Sequence, residues 1–163
     1  MIYVAVLGYG TVGSGVVEVI EKNKDMVNKK SAAQLEIKYI LDLRDFPGDP
    51  YEQKVVHDVN IILEDPEVSI ICETMGGVKP AYDFTKAALL KGKSVCTSNK
   101  ELVATHGPEL LQIAREHSCN YLFEASVGGG IPIIRPLNYS LTAEKLEAIT
   151  GILNGTTNYI LTK

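Results

Sequence analysis

The amino-acid sequence predicts an α/β fold: a doubly wound, mostly parallel sheet covered by helices on both faces. Three observations carry that expectation. Short β-branched runs alternate with segments of helical period, the pattern of βαβ units. A glycine cluster sits at the first strand-to-helix turn. The chain has 163 residues, 45% of them hydrophobic and 22% charged. At that size roughly two-thirds of the unfolded surface can be buried, enough for a core without staples. The length suits one domain, or one domain and the opening of a second.

The elements follow in order. Ile2 to Leu7 reads as the first strand. Val12 to Asn23 has helical period, with Val16, Val19 and Ile20 on one face. Asn28 to Gln34 is polar and reads as the loop into a second strand, Leu35 to Leu41. Arg44 to Gln53 holds Pro47-Gly48-Asp49-Pro50, a turn cluster. Val68 to Cys72 reads as a strand. Pro80 to Lys91 reads as a helix that places Ala81, Phe84, Ala87 and Ala88 together, with Pro80 near its first turn. After the strand Ser94 to Thr97, the helical run Leu102 to His117 is interrupted by Gly107-Pro108, which restarts a helix carrying Leu110, Leu111 and Ala114. Tyr121 to Phe123 and Leu146 to Leu153 complete the predicted strands.

Composition narrows the function classes. A net charge of -4 with no Lys/Arg cluster argues against nucleic-acid binding. Three widely spaced cysteines, Cys72, Cys96 and Cys119, argue against a disulfide framework or a zinc knuckle, and read as reduced thiols. Met1 runs straight into a strand pattern with no basic leader, and no apolar run approaches the roughly 18 residues of a membrane span. A cytoplasmic enzyme or binding domain is expected. His57, His106 and His117 show no ligand spacing and read as surface or helix-end residues.

Gly8-Tyr9-Gly10-Thr11-Val12-Gly13 fits G-x-G-x-x-G between a strand and a helix. Gly8 allows the tight turn, Gly10 lets backbone approach a pyrophosphate, and Gly13 lets helix and strand pack closely. The amides that open the helix at Thr11 and Val12, with the positive end of its dipole, favour the anion. A Rossmann-like dinucleotide site is therefore expected; a purely structural glycine turn is the alternative. Asp42 ends the second strand, 29 residues beyond Gly13, where roughly 20 is usual. Asp42 favours the ribose 2′-hydroxyl of NAD, whereas Arg44 favours the 2′-phosphate of NADP, and the two pull in opposite directions.

Ligands of such sheets lie beyond the carboxyl ends of the strands. Gly76 and Gly77, after the Val68 strand, either approach the nicotinamide half of the cofactor or make a plain turn. Thr97, Ser98 and Lys100 lie at the next strand end, where an ammonium stabilises a carbonyl oxygen that gains charge on hydride transfer, or donates its proton. Glu124, followed by Gly128-Gly129-Gly130, suits either a hard-cation site or a hinge between domains.

Four blocks in order resemble homoserine dehydrogenase across the whole chain: Val6 to Val17, Thr97 to Lys100, Glu124 to Pro132 and Gly151 to Ile160. The resemblance implies reduction of aspartate 4-semialdehyde to homoserine with NAD(P)H, on the route to threonine and methionine. It implies a Rossmann-type domain over 1–132 and the truncated start of an α+β substrate domain over 133–163. It implies that Lys100 meets cofactor and substrate, that Gly155 and Thr156 contact the substrate, and that Glu124 with the carbonyls of Val127, Gly129 and Ile131 binds a sodium-like cation. The family's substrate domain runs further, with more acidic contacts and a second lysine. A chain ending at Lys163 is thus expected to bind cofactor without turnover. It is also expected to cover the apolar Leu146, Ile149, Ile152, Leu153, Ile160 and Leu161 by forming a homo-oligomer. Two other functions share the glycine cradle: a non-catalytic dinucleotide sensor, and an acylating aldehyde dehydrogenase, for which Cys96 is the one candidate nucleophile.

Overall fold

The computed structural model describes residues 1–151 and 155–162, with 155–158 described by backbone alone. Six strands form one sheet, β1 (Ile2–Leu7), β2 (Leu35–Leu41), β3 (Val55–Val56), β4 (Val68–Glu73), β5 (Ser94–Thr97) and β6 (Tyr121–Leu122), in the order β3-β2-β1-β4-β5-β6. Every adjacent pair is parallel. The strand order reverses between β1 and β4, the switch point at which such sheets open a crevice.

Register fixes what faces that crevice. Leu7 pairs with Leu41 on one side and Glu73 on the other, and Glu73 pairs with Thr97. These four residues form one row across the sheet, so Gly8, Asp42, Thr74 and Ser98 are the first residues beyond it.

Period-two alternation in β1 feeds two cores. Val4 and Val6 pack with Val17, Ile37 and Ile40 beneath α1 (Thr11–Lys22). Ala5 and Leu7 pack with Ile71, Val95 and the helices α3 (Val59–Glu64), α4 (Ala81–Leu90) and α5 (Lys100–Glu116). Both faces are buried, as a parallel sheet requires.

Several expectations are corrected. In α1 the buried residues are Gly13 and Val17, and Val19 is exposed, because the i, i+4 stripe must start at the glycine that touches the sheet. Asn28 to Ser31 is helical, part of α2 (Lys24–Ser31). This helix buries no residue and so shows no apolar period, but Asp25 in its first turn and Lys29 and Lys30 in its last suit its dipole. It accounts for the long spacing from Gly13 to Asp42. In α4 Thr85 and Leu89 are buried with Ala81 and Ala88, whereas Phe84 and Ala87 are half-buried.

Helix α5 continues through Gly107 and Pro108. Pro108 and Ala104, whose carbonyl loses its amide partner, are both exposed, so water replaces the missing bond. Leu102, Gly107, Leu110, Ile113 and Ala114 supply a continuous buried stripe. β4 runs one residue further than expected, to Glu73, and β6 ends at Leu122. Residues 146–151 form no strand, and Ile152 and Leu153 lie outside the described residues. The short β3 and α3 carry too few residues to show a period and were not foreseen.

Beyond β6 come α6 (Glu124–Val127), a single π-helical turn (Pro136–Ser140) and α7 (Gly155–Thr162). Ile131, Tyr139, Ile149, Ile160 and Leu161 are exposed along this stretch.

Candidate functional site

The cradle is built by steric exclusion. Gly8 has φ +92, and a Cβ there would meet Met75 at 3.0 Å. A Cβ on Gly13 would lie 1.8 Å from the Gly8 carbonyl oxygen, so the first turn of α1 packs directly on the end of β1. Around Gly10 the structure is open: nothing lies within 4 Å of its ideal Cβ. Gly10 is the N-cap of α1 and brings no side chain to cap it. The first-turn amides, Thr11 and Val12 among them, thus open onto free space, a ready anion site. Tyr9 does not plug it. Its ring packs edge-on against Phe46 and its hydroxyl donates to Asp49 at 3.2 Å. Burial and the Asp49 carboxylate push that phenol up to about 12.

Asp42 ties the cradle to the end of β2. Its Oδ2 accepts from the Tyr9 amide at 2.8 Å and from Arg44 Nη2 at 3.0 Å; its Oδ1 accepts from the Arg44 amide at 3.0 Å and from Arg44 Nε at 2.9 Å. The Arg44 side chain, opposed by burial and helped by the Arg44 and Tyr9 amides, holds the Asp42 carboxyl far below the usual carboxylate range. The guanidinium lies 5.0 Å over the Phe46 ring and is largely exposed. Beside the pair is a cavity of 410 Å³, lined by Gly8, Leu41 to Arg44, His57, Val59, Met75, Pro80 and Phe84. Its apolar walls and polar rim suit a flat heteroaromatic ring. His57, expected as a plain surface residue, lies at this rim, with Nδ1 2.7 Å from the Asp42 carbonyl.

The other end of the crevice lies over β4 and β5. Gly77 has φ +73, and Gly76 has nothing within 4 Å of its ideal Cβ. Asn99 joins this turn to the next, donating from Nδ2 to the Gly77 carbonyl at 2.6 Å and accepting the Leu102 amide at 3.0 Å as the N-cap of α5. Lys100 is the first residue of that helix, exposed and in no ion pair among the described residues. Ser98 is half-buried, its amide donating to the Glu73 carbonyl at 3.3 Å. The Thr97 hydroxyl points inward and donates to Glu73, which leaves its backbone for the crevice.

In the expected cation set, backbone amides take up the Glu124 carboxylate. Glu124 Oε1 accepts the amides of Ile133 and Ile134, and Oε2 accepts that of Arg135 at 2.8 Å. These amides, that of Ile133 foremost, lower the carboxyl's pKa. Three N–H dipoles already aim their positive ends at the carboxylate, an arrangement that does not fit a cation. The Ile131 amide donates to the Gly128 carbonyl at 3.1 Å, closing a turn over the segment meant to supply the carbonyls. Among the described residues no group of three His, Cys, Asp or Glu side chains converges for a metal. The side chains of Gly155 and Thr156 lie outside those described. Cys96 faces Cys72 across the β4–β5 pair, Sγ to Sγ 3.4 Å, within the sheet instead of at its mouth, which gives the acylating alternative no nucleophile. All three cysteines are free.

Sequence reasoning missed Glu73, Asn99 and the anchoring role of Tyr9. The one signal for Glu73 was a carboxylate closing an otherwise apolar strand.

Strand order, glycine cradle and acidic strand end together define a dinucleotide-binding α/β domain. Comparison with known proteins narrows the class. A family model described as homoserine dehydrogenase, NAD binding domain, matches residues 8–124, and a second, described as homoserine dehydrogenase, matches residues 132–163. The chain is 41% identical to the homoserine dehydrogenase of Bacillus subtilis over 99% of its own length and 38% of that protein's. The crystal structure of a homoserine dehydrogenase from Thiobacillus denitrificans superposes with a TM-score of 0.89 at 35% identity, covering 98% of this chain and 38% of that one. One from S. aureus superposes with a TM-score of 0.72 at 40% identity, covering 80% and 33%. The chain belongs to the homoserine dehydrogenase family and carries its NAD-binding domain. It spans less than two fifths of the length of these relatives.

Proposed function

We propose that this chain is the cofactor-binding part of a homoserine dehydrogenase and holds NADPH across the carboxyl ends of β2, β1, β4 and β5. The observation that carries the reading is the pair Gly10 and Gly13: one has open space where its Cβ would be, the other is closed on backbone. When bound, the dinucleotide supplies the hydride that takes the aldehyde carbon of aspartate 4-semialdehyde to the alcohol of homoserine, a step in threonine and methionine biosynthesis. The α1 amides bind the diphosphate, and the apolar cavity takes the adenine. Gly76 and Gly77 let backbone approach the nicotinamide ribose. Lys100 stabilises the oxygen that gains charge, or donates its proton to it. Gly155 and Thr156 contact the substrate's amino-acid end.

The preference for NADPH rests on Asp42. Each of its oxygens already accepts two hydrogen bonds, so a ribose 2′-hydroxyl finds no free acceptor there. Arg44, exposed at the rim, still offers donors to a 2′-phosphate. The division into a cofactor domain over 1–132 and a substrate domain from 133 belongs to this reading, as does a place in the cytoplasm. No helix among the described residues is long and apolar enough to cross a membrane. A second copy of the chain covering Ile149, Ile160 and Leu161 belongs to it too, and a sedimentation run that finds only monomer at high concentration removes that part.

Fluorescence titration with NADPH and NADH side by side tests the core of it. Tighter binding of NADPH is expected. Tighter NADH binding returns the 2′-position to Asp42, and binding of neither ends the reading.

A further inference from the structure

Glu73 is the one carboxylate of the described residues that is wholly buried. It ends β4, in the row that floors the crevice. Among the described residues it appears in no ion pair, and its hydrogen-bond partners are an amide and a hydroxyl. Its Oε1 accepts the Met75 amide at 2.8 Å, and its Oε2 accepts the Thr97 hydroxyl. The Thr97 oxygen in turn accepts the Asn99 amide at 2.9 Å. A buried hydroxyl, that of Tyr121 on β6, lies close enough to feel its charge and has no partner of its own.

A carboxyl in this setting is costly. Apolar residues of similar volume are usually the more stable choice at buried sites that lack a counter-charge. The remaining question is what the group holds in return. Through Met75 it fixes the turn that presents Gly76 and Gly77. Through Thr97 and Asn99 it fixes the start of α5, where Lys100 stands. Asn99 closes the loop by bonding the Gly77 carbonyl. The two turns that flank the nicotinamide end of the crevice thus share one anchor beneath them.

We propose that Glu73 is a positioning residue: its buried carboxyl locks the 74–78 turn and the 98–100 turn into one relation, so that Gly77 and Lys100 flank the same end of the bound dinucleotide. The proposal rests on the cofactor reading above, and its test separates the two. Burial raises the pKa of the Glu73 carboxyl, and its hydrogen bonds oppose that rise.

The test compares Glu73→Gln, Glu73→Leu and Thr97→Val in this chain. The first readout is amide hydrogen exchange in residues 74–78 and 98–102. The second is affinity for NADPH beside affinity for 2′,5′-ADP, which lacks the nicotinamide half. Glu73→Gln keeps the side chain's size and one accepting oxygen but sets an NH2 donor where the other oxygen accepts, so it is expected to fall between wild type and Glu73→Leu in both readouts. Glu73→Leu is expected to speed exchange in both turns together, and to weaken NADPH about 10-fold while leaving 2′,5′-ADP unchanged. Thr97→Val, which keeps the carboxyl and the packing, is expected to repeat that split at smaller size if the leucine variant fails to fold. Unchanged exchange in the two turns overturns the proposal, as does an equal loss of both ligands. If wild type binds neither ligand the cofactor reading falls, and the exchange result still decides the role of Glu73.

Discussion

At the β1–β2 corner the crevice is lined by bare backbone and by an ion pair at the rim, half-buried Asp42 with exposed Arg44. At the β4–β5 end the lining is held from beneath by a carboxyl that solvent does not reach. The first region is organised by what is absent, a Cβ at three glycines, and by charges at the rim. The second is organised by a relay of neutral hydrogen bonds through Glu73, Thr97 and Asn99. Steric exclusion tolerates no adjustment, because backbone meets backbone. A hydrogen-bonded relay tolerates any substitute that repeats its donors and acceptors. The two ends should therefore respond differently to mutation and to pH.

The largest effect is expected within the cradle itself. In Gly13→Ala the new methyl group sits on the Gly8 carbonyl, backbone that cannot rotate away. A loss of roughly 3 kcal/mol or more in urea unfolding is expected, and dinucleotide binding with it. Gly10→Ala is the contrast. Gly10 has φ -85, which alanine adopts freely, and open space around its Cβ. Stability should fall by no more than about 1 kcal/mol, the preference of an N-cap for glycine over alanine, while affinity falls about 100-fold. Two glycines three residues apart would then separate folding from binding, and equal behaviour of the pair would show that the cradle is only a turn.

This division also explains what the sequence revealed. Gly8, Gly10 and Gly13 were legible because the constraint is local: strand, turn and helix are consecutive, and only glycine meets it. Asp42 and Arg44 were legible because they end a strand next to that turn. Glu73 was not, because its partners Thr97 and Asn99 come from another strand, and only the β4–β5 register brings them together. Helix α2 escaped for a different reason: it buries nothing, so no period betrays it. Pro108 misled because proline breaks helices on average, whereas here the orphaned carbonyl faces water. Glu124 before a glycine run suited a cation or a hinge, only resemblance named its partner carbonyls, and the structure gives its carboxylate to amides.

A smaller effect tests the charge at the β1–β2 corner. Arg44→Ala removes the donors offered to a 2′-phosphate and frees Asp42 to accept from a 2′-hydroxyl. NADPH affinity should fall about 10- to 50-fold, while NADH affinity holds or improves. Parallel loss of both cofactors would assign Arg44 to holding the loop through Phe46 instead.

The smallest effect, about 1 kcal/mol in either direction, contrasts the two carboxyls by pH. Asp42 is held below its unfolded value, near 3.9, first by Arg44. Its contribution is complete above that value and is lost as pH falls through the folded-state pKa. The cost of Asp42→Asn should therefore shrink in acid. Glu73 is raised above its unfolded value, about 4.3, first by burial. Its contribution is complete below that value and declines as pH climbs toward the raised one. Tyr121 from β6, its phenol pushed up first by burial, and Cys96 from β5 are the titratable groups that face it. Relative to wild type, Glu73→Gln should therefore gain stability as pH climbs from about 4 to about 8. Urea unfolding against wild type, for Asp42→Asn from about pH 2 to 5 and for Glu73→Gln from about pH 4 to 8, gives slopes of opposite sign if one end of the crevice is held by charge and the other by a carboxyl whose pKa burial raises. Curves of the same slope would mean that Glu73 is ionised in the fold, and the contrast between the two ends would collapse.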